Sequence, residues 1–306
     1  MDQNINPNQV PSPQGVPSPS AAPRPQLPGF SELFRYAWMQ FRQNWQTLVG
    51  IAIIPFALSF VVGLFAFKTP MSFEFVIVYS LAYFLLYILS IISIFLVVTG
   101  KVNPPSFSNA YKSSFGFFFS FIWVSILSYL AVFGGTLLLI VPGIIISILL
   151  FFPSYSLFTD EKKGLDTLVF SWYYVRNYKL AVIGRLALLG LVMLAVSIVA
   201  GIFSFFSSEV SEFLSALISA VYYPIFIIFA FLVYESLQKL SPPPTPEEEE
   251  KIRGRVKIFL ILGIIAIVAF VGFIYYAISN VMTSSNSDFF NILKEKISQP
   301  ANEINY

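Results

Sequence analysis

The chain has 306 residues, 57% hydrophobic and 11% charged, with a formal net charge of +2. Soluble domains carry about 25% charged residues, so much of this surface needs a solvent other than water, and a mean hydropathy of +0.76 points to a helical membrane protein. There is no cysteine and no histidine, which excludes disulfides and thiolate sites and removes the commonest general base and metal ligand.

The opening Met1–Gly29 is dense in Pro, Ser, Gln and Asn and lacks the apolar core of a signal peptide. It cannot bury enough apolar surface to offset ordering entropy and is expected to be a disordered, Pro-rich cytoplasmic tail. "FSELFRYAWMQFRQNW" follows at 30–45. Its apolar residues Phe30, Leu33, Phe34, Ala37, Trp38, Phe41 and Trp45 recur at helical spacing. The pattern predicts an amphipathic helix in the membrane plane, with Phe34, Trp38 and Phe41 turned to lipid or to the span ends and Arg35 and Arg42 to headgroups.

A spanning helix needs about 20 mostly apolar residues. Seven runs qualify: about 47–67, 75–98, 117–140, 144–158, 181–206, 213–237 and 256–278. Val141–Gly143, a Val-Pro-Gly turn, is expected to end the third. The fourth is short and holds Pro153, whose missing N–H predicts a kinked span, with a re-entrant segment as the alternative. A polar Pro/Glu linker at 239–255 separates the sixth run from the seventh, and its "EEEEKIRGR" reads as a helix start ahead of basic anchor residues. Beyond the seventh span, taken as 256–279, a tail at 280–306 carries a weak amphipathic pattern around Phe289, Phe290, Ile292, Leu293 and Ile297 and is expected outside.

Lys and Arg set the orientation. With seven spans, 14 of the 18 basic residues fall on the side of the N-terminus, which predicts a cytoplasmic N-terminus, an external C-terminus and a location in the cell (plasma) membrane. The stretch at 30–45 also has relatives. Phe107, Ala110, Tyr111, Phe115 and Phe118 form a second helical stripe, and Leu165, Leu168, Val169, Trp172 and Val175 a third. Trp38 matches Trp172 and Arg42 matches Arg176. The core at 30–238 then reads as three parallel units, each an interfacial helix (about 30–45, 107–116 and 164–178) followed by a transmembrane hairpin. Three unrelated juxtamembrane helices are the alternative.

Trp and Tyr prefer the headgroup level, so Trp38, Trp45 and Trp172, with Arg42 and Arg176, are the candidate interfacial anchors. A headgroup pocket lined by the same rings is the functional alternative. Arg185, the one charge inside a span, has three readings: snorkelling to headgroups, an ion pair with Glu235 or Asp166, or a binding role. No carboxylate falls at mid-span, and no nucleotide, zinc or nucleophile-elbow motif occurs. No catalytic residue, cofactor or metal is expected.

Leu137–Leu189 carries a Pro-Gly turn, a short span ending in an acidic loop, an amphipathic helix and a further span. Through Pro142, Gly143, Ser171, Trp172 and Arg176 it resembles the multi-pass membrane domain attached to some bacterial glycerophosphodiester phosphodiesterases, and related membrane proteins of unknown function. The resemblance extends loosely over 30–238. It implies architecture and no reaction, because the phosphodiesterase barrel has no counterpart here.

The expected fold is all-α and polytopic, with a six-span core plus a seventh, appended span. The leading functional expectation is a non-enzymatic membrane-organising, scaffold or accessory protein. The alternative is a transporter or permease for a neutral or amphiphilic small molecule or lipid. Membrane lipids are the expected partners, with a membrane protein as a further one and no nucleic acid.

Overall fold

The computed structural model describes residues 26–66, 72–202 and 208–298. Among them there are nine helices and no strand. They are α1 (Phe30–Ala66), α2 (Phe73–Val98), α3 (Phe107–Leu138), α4 (Ile140–Leu149), α5 (Pro153–Thr159), α6 (Leu165–Val175), α7 (Lys179–Ile202), α8 (Ser208–Leu240) and α9 (Pro246–Ser298). Seven segments are long and apolar enough to cross a membrane, with α4 and α5 together forming the fourth. The chain therefore has the architecture of an all-α, multi-pass membrane protein.

Local chemistry explains the helix starts. Ser72 caps α2 by accepting from the Phe75 amide, and Ser106 caps α3 by accepting from Asn109. Thr245 and Glu248 cap α9 reciprocally: the Glu248 amide donates to Thr245 Oγ1 and the Thr245 amide to Glu248 Oε2, each at 3.4 Å. Pro246 takes the first helical position, where its missing N–H costs nothing. The expected linker at 239–255 is thus mostly helix, with only 241–245 between α8 and α9, and α9 starts before the apolar run.

The three expected interfacial helices fare differently. α1 is interrupted at Asn44, whose φ of −124° and ψ of 17° are non-helical, so its first half is not a rigid extension of the span. The second is corrected: α3 runs unbroken for 32 residues, about 48 Å, and 107–116 is simply its beginning. The third is a separate helix, α6, joined to α7 through a turn at Arg176–Tyr178. However, every residue from Thr167 to Val175 is buried. An interfacial helix keeps one face in lipid. α6 instead packs against α3, α4, α5, α8 and α9, so it is a core helix.

Two span boundaries are also corrected. The chain turns between spans three and four at Leu139, which is extended, so Val141–Gly143 lies inside α4. The seventh span is not appended: α9 packs along α3 and α6. The contact with α3 is backbone on backbone. A Cβ on Gly134 would meet the Phe259 carbonyl oxygen at 2.1 Å, and one on Gly263 the Leu130 carbonyl oxygen at 2.0 Å. Lipid tails are as apolar as leucine, so helices in a membrane associate by such close packing of small residues.

The core lies between α1, α2, α5, α6 and α8, where Phe152, Phe158, Phe229 and Tyr234 are fully buried. Met1–Pro25 and residues 299–306, parts of the two expected tails, lie outside the described residues, as do the side chains of the amphipathic pattern near Phe289. The end of the expected N-terminal tail is held in place: Leu27 is buried, and its carbonyl accepts from Arg185.

Candidate functional site: a hydroxyl-lined cavity beside a broken helix

The fourth span is broken between Leu149 and Pro153, and sequence chemistry accounts for each backbone group at the break. In a continuous helix the Leu149 carbonyl would accept from the amide of residue 153. That residue is Pro153, which has no N–H. The Ser171 hydroxyl of α6 donates to Leu149 O instead, at 2.8 Å. The Phe152 amide would donate to Ile148 O, but the Phe151 amide takes that carbonyl at 3.3 Å. Phe152 N–H donates to Ser171 Oγ at 3.1 Å. One buried hydroxyl thereby supplies both missing partners, and Pro153 starts α5 rather than kinking a continuous helix. Non-helical backbone at membrane depth is tolerated where protein covers it or a cavity adjoins it. Both hold here.

Against α5 lies a cavity of about 540 Å³ between α2, α3 and α8, with Tyr87, Ser125, Tyr129, Ser154, Tyr155 and Tyr223 supplying its hydroxyls. A second cavity of about 320 Å³ adjoins it between α1, α2 and α8, with Tyr83, Ser90, Ser219 and Tyr222 among its walls. The two share Tyr87, Ile91 and Tyr223. Tyr79, Tyr83 and Tyr87 recur every fourth residue of α2 with ring centroids 6.1 Å apart, and Tyr87 lies 6.2 Å from Tyr223. No charged side chain lines either cavity. Such walls bind an uncharged ligand through aromatic faces and a few hydroxyls.

A polar layer closes the structure at the C-terminal end of α5. Asp160 accepts from Tyr234 Oη and from Gln238 Nε2, each at 2.6 Å. Around it, Lys101 pairs with Glu161 at 2.7 Å, Arg253 with Asp166 at 2.7 Å, and Arg176 with Glu248. Burial, the Asp160 charge and Tyr173 push the Tyr174 hydroxyl up to about 12. The Lys101 ammonium bonded to Glu161 holds that carboxyl below its usual range. These pairs join the loops after α2 and α5 and the starts of α6 and α9.

The candidate anchors separate into two groups. Trp38, 42% exposed, stacks on Phe41 at 5.7 Å, while Trp45 is 52% exposed and Arg42 is exposed. Trp38 therefore lies on the exposed side of α1, whereas Phe41 turns inward with Leu33 and Ala37. Trp172 is 8% exposed, stacked on Phe259 of α9 at 6.0 Å. Arg176 lies over the Tyr173 ring at 4.5 Å as well as on Glu248. Trp172 is thus packed within the protein, and Arg176 is engaged in an ion pair. Arg185 pairs with neither Glu235 nor Asp166: its guanidinium donates to the carbonyls of Leu27 (2.6 Å), Pro28 (2.8 Å) and Ala181 (2.8 Å). Glu235 instead pairs with Lys239. The cavity tyrosines are not among the sequence-predicted anchors, although the four-residue spacing of Tyr79, Tyr83 and Tyr87 on α2 is plain in the chain.

Comparison with protein-family models, with curated proteins and with solved structures returns no match.

Proposed function

We propose that this multi-pass membrane protein takes a neutral, amphiphilic molecule into the joined cavities between α1, α2, α3, α5 and α8, as a carrier. The observation behind this is the combination of an uncharged, hydroxyl-rich cavity with a broken helix stitched shut beside it. Discontinuous helices recur at the substrate sites of transporters, where the half-helix ends and unwound backbone line the binding site. The combined space suits a small ligand. The reading is non-enzymatic, since the chain has neither His nor Cys and the cavity walls hold no carboxylate.

In this reading the basic loops face the cytoplasm, the N-terminus is cytoplasmic and the membrane is the plasma membrane. The first half of α1 lies at the interface, with Trp38 and Trp45 as its anchors. The resemblance to the phosphodiesterase-associated membrane domain is proposed for architecture alone; Ser171, one of its matching residues, has a structural role here.

The test is uptake of a fluorescent, uncharged monoacylglycerol analogue into proteoliposomes. Transport above that of protein-free vesicles is expected, reduced by Tyr223→Phe and by Ser125→Ala. A rate equal to empty vesicles refutes the carrier reading. A membrane-organising or accessory role is the second reading, favoured by the exposed aromatic row of Trp38 and Trp45 on α1. Co-purification of a protein partner in mild detergent, without uptake, supports it.

A further inference from the structure

We propose that Ser156 and Thr159 of α5 and Asp160 at its C-terminal cap, with Tyr234 and Gln238 of α8, form a binding site for a small monovalent cation. Ser156, Thr159 and Asp160 stand at positions i, i+3 and i+4, so they share one face with Cβ atoms about 5–6 Å apart. Tyr234 and Gln238, four apart on α8, present the facing side and both donate to the Asp160 carboxylate.

The donor and acceptor inventory is unbalanced. A carboxylate offers about four acceptor positions, and two are occupied. Ser156 Oγ and Thr159 Oγ1 are buried atoms that form no hydrogen bond among the described residues. Ser156 is fully buried, and its hydroxyl interacts with that of Tyr234 while making no well-formed hydrogen bond. Buried hydroxyls in native proteins are nearly always bonded. Two under-bonded oxygens on one face with a carboxylate call for a common partner.

That partner carries positive charge. Among the described residues no basic side chain bonds Asp160, and most of those nearby are engaged elsewhere, with Lys163 acting on the Glu161 carboxyl. Lys101 holds Glu161, Arg176 holds Glu248, Arg253 holds Asp166 and Lys239 holds Glu235, while Lys162 sits over the Phe170 ring at 4.4 Å. α5 also ends here, and helix C-termini bear partial negative charge and unpaired carbonyls. The donors are all oxygen, with a single carboxylate. Calcium takes six to eight oxygens, typically from several carboxylates, and transition metals select nitrogen or sulfur. One negative charge among hydroxyls suits a monovalent ion such as sodium.

The site adjoins the cavity. Tyr155, a cavity wall, lies 6.2 Å from the Tyr234 ring, and Phe152 lies 5.5 Å from it. Cation binding positions Tyr234, and through these rings it orders the wall that a neutral ligand meets. This coupling rests on the carrier reading; the site does not.

The experiment uses the full chain in nanodiscs of uncharged phospholipid, unfolded thermally in sodium chloride or in choline chloride at equal ionic strength. A ligand that binds only the folded state raises its stability in a saturable way. The wild type should show a saturable sodium-specific rise in Tm. Asp160→Asn should abolish it, and Ser156→Ala and Thr159→Val should each weaken apparent affinity by about tenfold. The latter two keep the shape of the site, and monodisperse elution of each variant checks folding. An equal Tm in sodium and choline means that an ordered water alone fills the gap, and this overturns the site. A sodium response unchanged in Asp160→Asn also overturns it. Analogue uptake that ignores a sodium gradient while the Tm response persists overturns the coupling alone. Absence of uptake under every condition, with the response intact, refutes the carrier reading and leaves the site standing.

Discussion

Replacing Ser171 by Ala tests the stitched break directly. The hydroxyl serves two buried main-chain groups, Leu149 O and Phe152 N–H, at 2.8 and 3.1 Å. Neither has a helical alternative, because Pro153 lacks an amide hydrogen and Ile148 O is occupied by Phe151. Side-chain hydrogen bonds in membrane proteins average about 0.6 kcal/mol, since the unfolded state in lipid also finds partners. Orphaning a buried donor or acceptor costs more, about 1–3 kcal/mol per group. Ser171 is fully buried, which makes the second figure the relevant one. Two groups give an expected loss of about 2–6 kcal/mol. Ser147→Ala is the control: that hydroxyl donates to Ile144 O within its own helix, on an exposed face, and its loss should stay within about 0.5 kcal/mol. Reversible unfolding in mixed micelles of SDS and mild detergent, followed by circular dichroism, measures both variants. If Ser171→Ala is no less stable than Ser147→Ala, the hydroxyl does not hold the break and the reasoning fails.

Gly134→Ala or Gly263→Ala should force α3 and α9 apart, because each new methyl would meet a carbonyl oxygen near 2 Å. The expected destabilisation is about 1–3 kcal/mol or more, whereas Gly254→Ala, with nothing within 4 Å, should be neutral or stabilising by up to about 1 kcal/mol; equal Tm values for all three variants contradict this crossing. Arg185→Lys should not replace the wild type, since a point-charge ammonium cannot span three carbonyls as the planar guanidinium does. Faster proteolysis around Leu27–Gly29 in both Arg185→Lys and Arg185→Gln is expected, and unchanged cleavage argues against the clamp. Tyr174 binds its proton more tightly in the folded state, up to about 12 against an ordinary 10.0. Its contribution to stability is therefore full below pH 10 and declines as pH rises from 10 to 12. Tyr174→Phe should show a shallower fall of Tm over that window, and parallel curves count against the assignment.

Several features could be read from short stretches of chain because their causes are local. Spans follow from runs of uncharged residues that match the bilayer thickness. The Thr245–Glu248 cap and the Tyr79, Tyr83, Tyr87 row follow from fixed spacings. The role of Ser171 does not, because it answers a deficit created about 20 residues earlier by Pro153. The same holds for Arg185, whose partners Leu27 and Pro28 lie more than 150 residues away.

Hydropathy and charge placement alone were enough to settle that the chain is helical and crosses a membrane, and roughly where. They could not settle which apolar surface meets lipid and which meets protein. Lipid tails and a protein interior are equally apolar, so the same amphipathic pattern suits the first half of α1, with Trp38 exposed, and α6, with Trp172 buried. Only the packing of α9 onto α3 and α6, made possible by two glycines with no Cβ to separate the backbones, decides between them. That packing helps to cover α6, whose other contacts, with α4 and α5, bring Ser171 to the break in the fourth span.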